Sequence, residues 1–209
     1  MNATKPLLRG HFHQALFFVS LGACSLLILR SSSGTAALAS SIYTMGVLTM
    51  FGVSALYHRI TWTPKARAVM KRLDHSAIYV MIAGTFTPVC LLALSGTSGR
   101  NLLIAIWAVA FLGILQSLFF INLPKFFSAL LYLFAGYMIA PYVSELLPSI
   151  GLPNLLLLIG GGVAYSIGAI CYALKRPVLS PLIFGYHEVF HLLVGLGAIL
   201  HFAVIYTLI

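Results

Sequence analysis

Gly185–His201 reads GYHEVFHLLVGLGAILH and belongs to the apolar run that closes the chain. Two histidines, His187 and His191, stand four residues apart, with Glu188 after the first. An i, i+4 pair shares one face of a helix, so both imidazoles point the same way. Such a pair is half or more of a zinc site. The residues around it are Leu, Val, Ile, Phe and Gly. A polar pair inside so apolar a stretch sets the fold question: is this helix in water or in lipid?

Composition answers it. Of 209 residues, 61% are hydrophobic and 7% charged, against roughly 25% charged in a soluble domain. The mean hydropathy is +1.04. An integral membrane protein is expected. The net charge of +9 reflects scarce acids, since only three residues are Asp or Glu. The bases lie between apolar runs, which fits lipid headgroups and topology control and excludes nucleic acid as the partner. Cys24, Cys90 and Cys171 are far apart in sequence and read as buried free thiols.

Seven runs approach the ~20 residues a bilayer core requires: His13–Leu29, Ala36–Tyr57, Leu73–Leu94, Leu102–Phe120, Phe126–Val143, Leu155–Leu174 and Phe184–Leu208. The first reads as an anchor that stays in the protein. The breakers fall between runs, at Ser31–Gly34, Thr63-Pro64, Ser95–Arg100, Asn122–Pro124, Pro148–Pro153 and Arg176-Pro177. No linker separates domains, and barrel-type alternation is absent. The expected fold is all-α, a single domain over residues 1–209 and a bundle of seven transmembrane helices in the cell membrane.

Ten bases fall on the side of the N-terminal tail: Lys5, Arg9, Arg59, Lys65, Arg67, Lys71, Arg72, Lys125, Lys175 and Arg176. Two, Arg30 and Arg100, fall on the other. The positive-inside rule then puts the N-terminus in the cytoplasm and the C-terminus outside. Thr63-Pro64 reads as N-cap and N1 of the third helix. Gly160–Gly162, Gly168, Gly195 and Gly197 read as close-packing positions, and Pro88 and Pro141 as kinks.

Ionisable groups inside spans are costly and face the bundle interior or water. His58 ends the second helix; Asp74 opens the apolar part of the third; His187 and His191 open the seventh. With the orientation above, four groups from three helices fall at one depth. Three imidazoles and an open position are the preferred inner shell of a catalytic zinc, with Asp74 to orient or deprotonate water and Ser54, one turn before His58, to hydrogen-bond behind it. The alternative is that these histidines contact headgroups or neighbouring carbonyls. Zinc is favoured among metals because no thiolate, Met cluster or carboxylate cage is near.

The order Ser54-x-x-x-His58, Asp74, and a terminal His187-x-x-x-His191, in the settings SALYH, LDHSAIY and GYHEVFH, resembles the hemolysin III family within the progestin and adipoQ receptor superfamily, its bacterial branch above all. The resemblance spans essentially the whole chain. It implies seven helices, a cytoplasmic N-terminus and Zn2+ held by His58, His187 and His191 near the inner leaflet, with Asp74 and Ser54 beside the water. One departure stands out. Many members carry a Glu and an Asn shortly before a His in the first span. Here the stretch is Pro6-Leu7-Leu8-Arg9-Gly10-His11-Phe12-His13; His13 matches that His, and the acid is missing.

The HExxH text is not read as a soluble zinc protease, because its third ligand lies far upstream in another span. Glu188 sits about 100° round the helix from His187 and is expected to pair with Lys175 or Arg176. His75 and His201 are read as structural. The first functional reading is a zinc-dependent hydrolase acting on a lipid amide or ester at the cytoplasmic leaflet. The likeness to alkaline ceramidases points to ceramide-like amides. The alternative is a non-catalytic membrane-homeostasis or sensor protein with a structural zinc. A hemolysin-type pore ranks last, since no helix carries a continuous polar stripe. Membrane lipids, one of them the substrate, are the expected partners.

Overall fold

The computed structural model describes residues 6–209. Lys5, one of the ten bases counted above, lies outside the described residues, as does the side chain of Lys125. The chain forms α1 His11–Arg30, α2 Gly34–Arg59, α3 Pro64–Pro88, α4 Gly96–Phe119, α5 Lys125–Tyr137, α6 Val143–Leu174 and α7 Tyr186–Leu208. Among the described residues there is no strand, only an isolated bridge between Ser180 and Phe184. Cys24 and Cys90 are buried, Cys171 half-buried, and all three are free thiols.

Local chemistry explains the boundaries. Ser33 caps α2 by accepting the Ala36 N–H at 3.1 Å. Thr63 accepts from Ala66 N–H at 3.4 Å and Pro64 follows at the first helical position, as the sequence predicts. At Pro88 the missing N–H ends regular α-helix. The chain continues as a π-helical turn, Val89–Ala93, and Leu94 N–H reaches back to Val89 O at 3.1 Å. Pro141 lies in a 3-10 turn, Ala140–Tyr142.

Six helical stretches are long and apolar enough to cross a membrane. The expected fifth and sixth runs fall in one of them, Phe126–Leu174, 49 residues long. The break expected at Pro148–Pro153 is present as a kink between two helical stretches at Gly151, whose φ of 75° and ψ of 162° leave helical geometry. A residue without Cβ adopts that conformation freely, and Pro153 follows where a new helical turn needs no N–H. The chain doubles back across this stretch. Tyr137 Oη and Ser166 Oγ are 2.8 Å apart. An uninterrupted helix would hold residues 29 positions apart about 44 Å from each other.

Two apolar cores hold the bundle. One joins α3 to α6 through Tyr79, Phe86, Leu102, Ile106, Leu146 and Leu155. The other joins α1, α2, α3 and α7 through Leu27, Tyr43, Phe51, Met81 and Ala198. α2 and α3 approach closely where Gly46 meets Gly84; a Cβ on Gly84 would stand 3.2 Å from Ile42 O and 3.4 Å from Gly46 Cα. The outside is equally apolar, with Phe18, Leu26, Phe111, Leu112 and Phe134 exposed. Water would penalise that surface, and lipid does not. This is a multi-pass membrane protein.

Candidate metal centre

His58 occupies the last turn of α2, and α7 brings His187 and His191 to it. The start of α7 is fixed by Glu188, whose Oε2 accepts the Gly185 N–H at 2.8 Å, the return half of a capping box. His187 thus lies in the first turn and His191 one turn further on the same face. One ring nitrogen from each of the three histidines lies within 4.8 Å of the others, and all three residues are buried.

The donor set suits a metal. His58 Nε2 and His187 Nε2 are 3.2 Å apart. Two nitrogens bound tetrahedrally at about 2.0–2.1 Å lie about 3.3 Å from each other. His191 Nδ1 is buried with no hydrogen-bond partner, an arrangement a protein interior rarely tolerates. The triple-histidine group can therefore hold a metal ion.

The other residues expected from the sequence also converge here. Asp74 Oδ2 is 3.7 Å from His58 Nε2 and 3.9 Å from His75 Nδ1. Ser54, one turn before His58 on α2, faces Asp74 and places its Oγ 2.9 Å from His13 Nδ1. His75 Nδ1–H donates to Lys71 O at 2.9 Å, and His201 Nε2–H donates to Leu158 O at 3.0 Å. Both bonds fit the structural part read for them.

Glu188 requires a correction. It is fully buried, and its Oε1 pairs with Arg9, not with Lys175 or Arg176. The reason is the path of the N-terminal segment. Leu7 N–H and Leu8 N–H bond to Leu182 O and Ile183 O at 2.9 and 3.2 Å, which lays residues 6–10 along the loop before α7. Arg9 then reaches the buried carboxylate.

The sequence reading also missed the extent of this cover. Gly10 has φ 82°, and a Cβ there would stand 2.8 Å from His58 Cβ. His13, only 2% exposed, stacks on His191 with ring centroids 3.9 Å apart. The signal was present in Arg9-Gly10-His11-Phe12-His13 as a base and a glycine just before the helix and His13 in its first turn, but nothing local says which helix they meet.

A cavity of about 220 Å3 opens from this group between α3, α5, α6 and α7, with Asp74, Ser54, His187 and His191 on its wall and Ile78, Ile82, Phe86 and Leu133 beyond them. The buried triple-histidine group, one carboxylate and a mostly apolar chamber adjoin one another.

Comparison with known proteins agrees with the motif reading. The family described as Haemolysin-III related matches residues 1–202. The chain is 33% identical over 192 residues to Hemolysin-3 of Bacillus cereus, covering 90% of this chain and 84% of that one. It is 36% identical over 153 residues to the Hemolysin-3 homolog of Bacillus subtilis (strain 168), covering 72% and 71%. It is 25% identical over 169 residues to the human Monocyte to macrophage differentiation factor, covering 79% and 68%.

Proposed function

The chain belongs to the haemolysin-III-related family, and we propose that it is a zinc-dependent hydrolase of the cell membrane, cleaving a lipid amide or ester from the cytoplasmic side. One observation supports this above the rest. Two of the three histidines, His187 and His191, line a mostly apolar chamber together with Asp74, and His58 stands beside them. A purely structural zinc is usually closed by four protein ligands, whereas this group has three histidines and faces a space fit for an acyl chain.

His58, His187 and His191 would hold the ion. When bound, zinc supplies a Lewis acid that polarises a carbonyl and makes water acidic at neutral pH. The chain's own residues do the rest. Asp74 accepts a proton from the attacking water and returns it to the leaving nitrogen or oxygen. Ser54, itself hydrogen-bonded to His13, fixes the Asp74 carboxylate. Ile78, Ile82 and Phe86 hold the chain and keep bulk water away. Overall, water's hydroxyl goes to the acyl carbon and its hydrogen to the leaving group.

Seven crossings with a cytoplasmic N-terminus complete the reading, the doubling back around Gly151 making two crossings of Phe126–Leu174. This orientation puts the histidines in the inner leaflet. The test is product formation from defined acyl amides and esters by purified, metal-loaded protein, followed by mass spectrometry. Turnover by wild type that chelation abolishes and added zinc restores is the expected result. Absence of turnover on every class, with the metal bound, would instead favour a metal that only ties α2 to α7.

A further inference from the structure

We propose that Lys71 is the headgroup site of this chamber, and that the ligand is a single-chain acyl lipid whose head carries an anionic carboxylate or phosphate. The inference rests on the hydrolase reading for what is done to the ligand, and on the cavity alone for what is bound.

One face of α3 lines the chamber from end to end: Lys71, Asp74, His75, Ile78, Ile82 and Phe86. These positions recur every three or four residues, the spacing of one helical face. At 1.5 Å per residue they span about 22 Å, from the loop between α4 and α5 to the apolar end. The charged groups of α3, Lys71 and Asp74, stand toward the loop end, and Ile82, Thr85 and Phe86 line the far end.

Among the described residues, Lys71 is the one Lys or Arg on the wall of this cavity. It is half-buried, and its Nζ donates to Ile121 O at a long 3.4 Å. Among the described residues, no carboxylate lies within 4.0 Å of it. The chain's three acids are committed elsewhere: Glu188 to Arg9, Glu145 to Ser98, and Asp74 beside His58. A half-desolvated ammonium on a ligand chamber, with no carboxylate within ion-pair distance, is a binding group for an anion.

Spacing sets the register. Asp74 lies three residues beyond Lys71, about 4.5 Å further along the helix. An acid bound at Lys71 therefore places the next few atoms of the ligand level with Asp74 and His58. In an N-acyl amino acid the amide carbonyl lies just that short distance from the carboxylate, and the chain beyond it runs toward Phe86. The cavity's 220 Å3 lies below the roughly 300–1,000 Å3 of common small-molecule sites, too little for two acyl chains.

The test is direct binding to metal-loaded wild type, Lys71→Ala and Lys71→Arg in neutral detergent, by native mass spectrometry. The probes are N-oleoylglycine, N-oleoylethanolamine and lysophosphatidate. The first two share chain and amide and differ in charge; the third separates phosphate from carboxylate. Wild type should prefer N-oleoylglycine to N-oleoylethanolamine by about tenfold or more, the worth of a charge-assisted hydrogen bond. Lys71→Ala should lose that preference while still binding the neutral amide, and Lys71→Arg should keep it. The relative affinity of lysophosphatidate assigns the anion. Equal binding of charged and neutral amides by wild type, a preference unchanged in Lys71→Ala, or no binding of any probe overturns the proposal. Charge-selective binding without cleavage leaves the headgroup site standing and overturns the hydrolase.

Discussion

His13 lies flat on His191, ring centroids 3.9 Å apart and planes 12° from parallel, while its Nδ1 stands 2.9 Å from Ser54 Oγ. One residue of α1 thus orients an imidazole on α7 and a hydroxyl on α2. Groups behind a metal's ligands typically matter by about 10–100-fold in affinity. His13→Ala should weaken zinc binding within that range, read by competition with a calibrated chelator. His13→Phe keeps the stacking surface and loses the bond to Ser54, so its zinc affinity should fall between the two.

The Arg9–Glu188 pair predicts an asymmetry. Glu188 is fully buried, Arg9 only partly so. Removing one partner of a buried pair strands the other, at about 3–5 kcal/mol. Arg9→Ala should therefore lower thermal stability strongly. Glu188→Gln leaves no buried charge and can still accept the Gly185 N–H, so its loss should be clearly smaller. Equal melting temperatures for the two variants would contradict this account.

Gly10 gives a third expectation. Its φ of 82° disfavours any L side chain by about 1–2 kcal/mol, and a Cβ there would press on His58 Cβ at 2.8 Å. Gly10→Val should lower both the melting temperature and the zinc affinity. Gly22→Val, at a glycine of α1 with open space around its Cβ position, should leave zinc affinity unchanged. Thermal melts and chelator competition on the pair separate a local effect on His58 from general loss of helix stability.

These residues mark where sequence reading stops. The triple-histidine group was legible because its signals are local: His187 and His191 share a helical face by spacing, and His58 and Ser54 by the same rule on α2. Asp74 was legible because an acid inside an apolar run must face something polar. The partners of α1 were not. Arg9 meets Glu188 across 179 positions of chain, and spacing favoured the nearer Lys175 and Arg176. The hairpin around Gly151 was half legible. Its two prolines mark a break, but they do not say that the turn rests on Gly151 alone or that the chain reverses across it.

Metal removal should be visible as stability. A ligand bound only by the folded state adds RT ln(1 + [L]/Kd), about 2.7 kcal/mol at a hundred times Kd. Chelating wild-type protein should lower its melting temperature, and zinc should restore it. In a His187→Ala, His191→Ala double variant, chelator and zinc should move the melting temperature by far less. A wild-type melt indifferent to both would remove the basis for a metal tying α2 to α7.

Asp74→Asn separates chemistry from scaffolding. The amide has nearly the carboxylate's shape, so it keeps the packing beside His58 and a hydrogen bond with Ser54. It cannot take a proton from water. Loss of a general base costs about 10²–10⁴-fold in rate. Asp74→Asn should therefore retain zinc, measured by elemental mass spectrometry, and the wild-type melting temperature, yet lose turnover by about 100-fold or more. If zinc content falls with turnover, the carboxylate at 3.7 Å from His58 Nε2 holds the ligand in place and does not move a proton. If turnover survives intact, the base is another group on the chamber wall, and His75, whose Nδ1 is 3.9 Å from the same carboxylate, is the first to substitute.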